Sequence, residues 1–167
     1  MPRYIYLTAL LAYAFSNPAS ALQRIAILNF ELNDFTALPN TPEEQQRTAS
    51  IAPLLQQAVS ELGDYQIVDI NTRAQTAANA SFGYLFRFDD LAAKLAQQAN
   101  ADWVIVAQHS KPSFLFSYLI AHLINVKSQK QIASYDIEMK GNHAKVTQHS
   151  VNALAKKIAW TISQQQD

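Results

Sequence analysis

Apolar and polar positions fall into blocks whose periods separate strands from helices. Arg24-Ile25-Ala26-Ile27-Leu28-Asn29-Phe30 and Asp102-Trp103-Val104-Ile105-Val106-Ala107 are apolar on both faces, the pattern of central strands covered on two sides. Tyr65 to Ile70 reads as another strand. Phe114 to Val126 and Lys130 to Lys140 alternate with period two and meet at Ser128-Gln129. Pairing Lys127 with Lys130 places Phe114, Phe116, Tyr118, Ile120, Ile124 and Val126 on one face with Ala133, Tyr135, Ile137 and Met139. His122 then lies on this core face opposite Tyr135. The other face receives Ser117, Ala121, Asn125 and Lys127 against Ser134, Asp136, Glu138 and Lys140. Because that register sorts core from solvent, it supports a hairpin, although Ser-Gln lacks the usual turn residues.

Helical periods occupy the intervals. Thr41-Pro42-Glu43-Glu44 is a strong start: Thr41 caps, Pro42 suits the first helical position and Glu44 completes a capping box. Ile51, Leu55, Ala58, Val59 and Leu62 continue the period to Gly63, and Pro53 predicts a kink or a restart near Ser50. A short helix is expected from Asn71 or Thr72 to about Asn79, and another from Phe88-Asp89 to Asn100, with Asp89-Asp90 as an N-capping pair. A last helix after Gly141-Asn142 carries a stripe of Thr147, Val151, Leu154, Ala155, Ile158 and Ile162. Residues 31–40 read as a polar loop. Two crossovers imply parallel pairing of the first three strands. The expectation is a single three-layer α/β domain over 22–167, with helices on both faces of a mixed five-stranded sheet. The strand order is 2-1-3-4-5, ending in the antiparallel hairpin.

The first 21 residues stand apart. Arg3, the apolar run Ile5–Phe15, the breaker pair Asn17-Pro18 and Ala19-Ser20-Ala21 form a secretory signal, cleaved after Ala21. The expected product is periplasmic, with no transmembrane segment. The whole chain carries 13 basic and 13 acidic residues; loss of Arg3 leaves 12 against 13, a charge of −1. That balance argues against nucleic acid as a partner. Absence of Cys excludes disulfides, thiolate metal sites, a Cys nucleophile and a lipidated Cys.

Chemical motifs are sparse. Glycines stand only at 63, 83 and 141, so neither a phosphate loop nor a dinucleotide fingerprint can be written. No two of His109, His122, His143 and His149 are three or four residues apart, so no helix offers two imidazoles to one metal. No catalytic residue, metal site or cofactor is expected. Glu31 and Asp34 follow the first strand at its carboxyl end, where open α/β sheets bind ligands. With Asn29 and Asp69 they form either a polar rim around a shallow cleft or ordinary loop caps. Phe82, Tyr84, Phe86 and Phe88 alternate around Gly83 with Arg87 among them, suggesting an extended segment. It is either an exposed patch for a partner or flat ligand, or a satellite core. Trp160 lies nine residues beyond Val151, half a turn round the helix from the apolar stripe. It is either an outward interface anchor or fills a groove against the 31–40 loop. Asn79-Ala80-Ser81 matches a glycosylation sequon.

Ile25-Ala26-Ile27-Leu28-Asn29-Phe30-Glu31 resembles the opening strand of a family of small exported bacterial proteins of unknown function, usually Ile-Ala-Val-Leu-Asp-Phe-Glu. Tyr65-Gln66-Ile67-Val68-Asp69, Ala101-Asp102-Trp103-Val104-Ile105-Val106, the Lys111 to Ser113 segment and Lys140-Gly141-Asn142 agree in order. The resemblance implies a fold similar to the amino-terminal domain of TolB and the periplasmic domain of CsgG, which work through protein contacts in the cell envelope. It further implies, for some members, an association with quinoprotein alcohol oxidation. Asn29 departs from the family's Asp. A Cys pair frequent before the third strand is missing, so no redox or metal role tied to it carries over. The expected function is therefore a non-catalytic periplasmic binding or assembly accessory with an envelope protein partner. The alternative is a carrier of a small molecule or planar cofactor stacked near Arg87.

Overall fold

The computed structural model describes residues 22–141 and 144–165. The signal segment lies outside the described residues. In chain order the elements are β1 (Gln23–Ile27), β2 (Glu31–Asp34), α1 (Pro42–Ser60), β3 (Tyr65–Val68), α2 (Thr72–Ala78), α3 (Tyr84–Arg87), α4 (Asp89–Gln98), β4 (Trp103–Lys111), β5 (Phe116–Asn125), β6 (Lys130–Lys140) and α5 (Ala144–Ser163). The sheet order is β3-β1-β4-β5-β6, with β1 parallel to β3 and β4 and the β4-β5-β6 pairs antiparallel. The α/β class and helices on both faces are as the sequence patterning implies.

The sheet has a sixth strand where a polar loop was expected. β4 runs to Lys111 and so offers a ladder beyond β1. Residues 28–30 step out of register, and β2 rejoins the same edge, with Glu31 beside Gln108 and Asp34 beside Lys111. Pairing partners, rather than the modest strand propensity of Glu-Leu-Asn-Asp, decide the conformation here.

α1 and α5 cover one face. Ile25, Ile27, Trp103 and Ile105 pack there with Ile51, Leu55, Val59 and the apolar members of the expected α5 stripe, Val151, Leu154, Ala155, Ile158 and Ile162, and Thr147 of that stripe is also buried. The other face carries a smaller cluster of Ala26, Leu28, Val104 and Val106 under Leu85, Ala92, Leu95 and Ala96. α1 does not restart near Ser50 but is one helix from Pro42 to Ser60. Pro53 lies on its exposed side, while the buried neighbours Ile51, Ala52 and Leu55 hold the turn against the sheet. The capping box is half made. Thr41 Oγ1 accepts from the Glu44 amide at 3.4 Å, but the Glu44 carboxylate is drawn inward to Lys111. At α4 the cap is Phe88, and Asp89 and Asp90 occupy the first turn, where negative charge suits the helix dipole.

The hairpin register differs by one residue from the expected one. The turn is four residues long, 126–129. Gln129 takes φ +56°, its amide donates to the Asn125 carbonyl at 2.8 Å, and Asn125 Oδ1 accepts from the Ser128 amide at 2.9 Å. Next to the turn Asn125 pairs with Lys130 and Ile124 with Gln131. The register then shifts by one residue between Ile124 and Leu123, and beyond that irregularity Phe116 pairs with Lys140, Tyr118 with Glu138, Ile120 with Asp136 and His122 with Ser134. A one-residue slip turns every side chain over. Ser117, Leu119, Ala121 and Leu123 face the α1–α5 layer, and Phe116, Tyr118, Ile120 and His122 face the opposite way. Phe114, expected in the core, sits in the turn before β5 and is 59% exposed.

Candidate contact surface

The layer formed by α2, α3 and α4 covers β1 and β4 but reaches the hairpin only at one end. There α4 packs on Ile124 and Val126, and Phe86 of α3 stacks on His122 at a ring distance of 4.0 Å. Beyond His122 the face is open. Its floor is Phe116, Tyr118 and Ile120 on β5, flanked by Lys140, Glu138 and Asp136 on β6. Tyr118 and Ile120 are half-buried and Asp136 and Glu138 exposed. The Phe116 and Tyr118 rings meet edge to face at 6.0 Å.

One wall of this face is the aromatic segment 82–88. It is not extended: Tyr84–Arg87 is a helical turn, in which Tyr84 and Phe88 meet one turn apart with rings 4.8 Å from each other. The period-two alternation misleads because Gly83, at φ +69°, bends the chain where a strand would run straight. The segment divides between the two readings open to it. Leu85 is buried and Phe86 is stacked, whereas Phe82 and Phe88 are 51% and 44% exposed. Arg87 is exposed, and its guanidinium donates to the Phe82 carbonyl at 3.4 Å.

Glu31 fixes this wall. Its carboxylate accepts from the Gly83 amide at 2.9 Å, from Asn79 Nδ2 at 2.6 Å and from Gln108 Nε2 at 3.4 Å. Asn79 Oδ1 in turn accepts from the Leu85 amide at 3.2 Å, so the sequon asparagine is part of the clamp. A Cβ at Gly83 would stand 3.2 Å from Gln108 Nε2. Glu31 and the aromatic segment are thus brought together. Asp34 is not part of this group. It closes the β2–α1 loop by accepting from the Thr36 amide (3.0 Å), Thr36 Oγ1 (2.7 Å) and the Asn40 amide (2.9 Å). Burial opposes its charge, but these bonds and Lys111 prevail, and its pKa lies below the ordinary aspartate value. A cleft of about 250 Å³ does open beside Asn29, Glu31, Gln75 and Asn79, without Asp34 or Asp69 on its lining. Trp160 is 67% exposed on α5, in the layer across the sheet from α3.

A second polar constellation, unforeseen from the sequence, is buried between α1 and β4. Glu44, only 5% exposed, pairs with Lys111 Nζ at 2.6 Å and lies 3.8 Å from Arg47. Thr48 Oγ1 donates to the Glu44 carbonyl at 2.7 Å, so toward His109 it can only accept. His109 Nδ1 therefore carries the proton of their 2.8 Å bond, and Nε2 accepts from Ser117 Oγ at 3.0 Å. Burial first, with help from Arg47 and Lys111, lowers the His109 pKa to about 4. Imidazole and hydroxyl are both inside the core, so the Ser–His contact is a structural bond between β4 and β5. The visible signal is periodicity: His109 and Lys111 continue the inward positions Trp103, Ile105 and Ala107. No cluster of three or more His, Cys, Asp or Glu able to hold a metal occurs among the described residues.

The fold and this surface define a small mixed α/β sandwich with one sheet face left half uncovered. The chain belongs to the family DUF3280, described as "Protein of unknown function (DUF2380)", whose profile matches residues 23–158. No curated protein matches it. Among solved structures it is similar to LpoB of E. coli, at TM-score 0.51 and 15% identity over 70% of this chain and 57% of LpoB. It is similar to the PelC dodecamer of Paraburkholderia phytofirmans, at 0.51 and 11% over 83% of this chain and 86% of PelC. TolB of Acinetobacter baumannii matches at 0.54 and 14%, over 85% of this chain but 28% of TolB. The chain thus spans little more than half of LpoB and about a quarter of TolB. At these identities the likeness is one of fold.

Proposed function

We propose that this protein is an exported, non-catalytic contact module of the cell envelope, working through the open face of β5 and β6 and the aromatic wall beside it. The observation that carries the reading is the uncovered floor of Phe116, Tyr118 and Ile120 in a sheet whose one face is packed under α1 and α5 and whose other is packed under α2–α4 over β1 and β4. Apolar surface of this kind, rimmed by polar residues, is typical of a protein contact site. The sequence expectation of a signal peptide over 1–21 supports an envelope location. So does a fold shared with TolB and LpoB, and no helix among the described residues is long and apolar enough to cross a membrane. The clamp from Glu31 to Gly83 holds the wall before any partner arrives, which lowers the ordering cost of binding.

The carrier alternative rests on Arg87 pairing with a stacked acidic ring. Arg87 instead bonds the Phe82 carbonyl, and Phe86 is already stacked on His122, so the carrier is the weaker reading. The association with quinoprotein alcohol oxidation rests on resemblance alone and forms no part of the proposal.

The test is affinity capture from envelope extract with chain tagged after Asp167, beside Tyr118→Ser, Phe86→Ser and Trp160→Ser. A stoichiometric partner lost with Tyr118→Ser or Phe86→Ser and retained with Trp160→Ser is the expected result. A partner lost only with Trp160→Ser, or a catalytic turnover abolished by Glu31→Ala, would overturn it.

A further inference from the structure

We infer that the open hairpin face receives an amphipathic helix of a partner protein carrying basic residues along one flank. This inference rests on the contact-module reading and adds the chemistry of the partner.

The space sets the shape. Two strands about 4.8 Å apart, with half a spacing on either side, leave a floor about 10 Å wide, the diameter of one helix. From Phe116 to Ile120 the open floor is five residues long, about 13–17 Å at strand rise, or roughly 10 residues of helix. Phe86, stacked on His122, closes its end and bounds it on the α3 side. The opening is the position that a further helix of the α2–α4 layer would occupy.

The charge sets the flank. Tyr118 and Ile120 have Glu138 and Asp136 as their cross-strand neighbours. These two carboxylates stand about 7 Å apart along β6, close to the ~6 Å that separates residues four apart on a helix. Glu138 lies 3.6 Å from Lys140 at the far end of the row. Asp136 and Asp89 of α4 both act on His122. Against these acids the local cations are Arg87, bonded to a carbonyl, and Lys140. An apolar helix face with Lys or Arg at i and i+4 would fill the floor and meet Asp136 and Glu138.

The experiment titrates the purified full chain with a 16-residue helical peptide of Leu and Ala carrying Lys at i, i+4 spacing on one edge. A counterpart has Glu in place of each Lys. The expected result is a preference for the Lys peptide of roughly three- to tenfold at low salt, the range that two exposed ion pairs supply. The preference shrinks in 0.5 M salt as screening predicts. Amide shifts should be confined to residues 116–122, 134–138 and the α3 segment, and the double variant Asp136→Lys, Glu138→Lys should reverse the preference. Equal affinity for both peptides, an unreversed preference in the double variant, or shifts centred on Trp160 would overturn the inference. So would a face already protected in the free protein, whether by a second copy (protection rising with concentration) or by residues 1–21 (protection lost on their removal). Capture of a partner that depends on Tyr118 would still uphold the contact-module reading in any of those cases.

Discussion

The buried imidazole of His109 makes a quantitative prediction. Its folded pKa is about 4, against about 6.5 for an unperturbed histidine. A base whose folded pKa is depressed stabilises the fold at pH values above its unfolded pKa. That stability is lost as the pH falls through 6.5 toward 4, because the unfolded chain takes up the proton first. The difference of about 2.5 pH units corresponds to about 3 kcal/mol at 1.36 kcal/mol per unit. The structure explains the size. The ring is fully buried, Nδ1 donates to Thr48 and Nε2 accepts from Ser117. A proton on Nε2 would place a second positive donor near Arg47 and Lys111, countered only in part by Glu44 and Asp34. The perturbation is His109→Gln, which keeps a donor and an acceptor but does not titrate. Urea unfolding at pH 7, 6, 5 and 4 is the assay. Wild type should lose about 3 kcal/mol more than the variant between pH 7 and 4, with most of the difference below pH 6.5. His122, whose pKa is also lowered by burial, and Asp102, whose charge is favoured first by the Arg24 hydrogen bond, titrate in both proteins and cancel. Parallel curves, separated by less than about 1 kcal/mol at every pH, would refute the reasoning.

Further outcomes follow from other contacts. Glu44→Gln leaves the Lys111 ammonium buried without its counter-ion and should cost about 3 kcal/mol by chemical denaturation, whereas Glu44→Leu with Lys111→Met should come within about 1 kcal/mol of wild type. Gly83→Ala forces an L residue to φ +69° and a Cβ to 3.2 Å from Gln108. It should cost about 1–2 kcal/mol and shift the ring resonances of Phe82 and Phe86. Pro53→Ala restores a helical amide and removes the ring clash with the preceding turn. It should raise stability by about 1–2 kcal/mol, the helix gain less the greater unfolded-chain freedom; an unchanged melting temperature would count against that account of α1.

What the sequence reveals of this fold is what local period can reveal. The five expected strands are present, and the α5 stripe is buried as patterned, because a helix face and a strand face are read within a few residues. The hairpin register was not legible. It depends on a four-residue turn with a left-handed Gln129, a residue that gives no turn signal of its own, and on the register shift between Leu123 and Ile124. The same slip hid the contact surface, since the expected register set Asp136 and Glu138 among Ser117 and Ala121 instead of beside Tyr118 and Ile120. β2 reads as a loop in the sequence because its strand conformation comes from pairing with β4. The Thr48–His109–Ser117 bonds join residues 61 and 8 positions apart, a distance no periodicity spans. Glu31 was singled out for its place at the carboxyl end of a strand, and it does stand at the edge of the proposed surface. Its observed role there is to anchor the Gly83 turn.

The most direct test of the contact surface is site-resolved photo-crosslinking in the intact envelope, with a photoreactive residue placed singly at Tyr118, Phe82 or Trp160. Tyr118 and Phe82 should crosslink to one and the same protein, while Trp160, in the layer across the sheet, yields no crosslink to it. Crosslinks from Trp160 alone, or none from Tyr118 and Phe82 while the protein is folded and exported, would contradict the assignment of the open hairpin face as the place where this protein meets its partner.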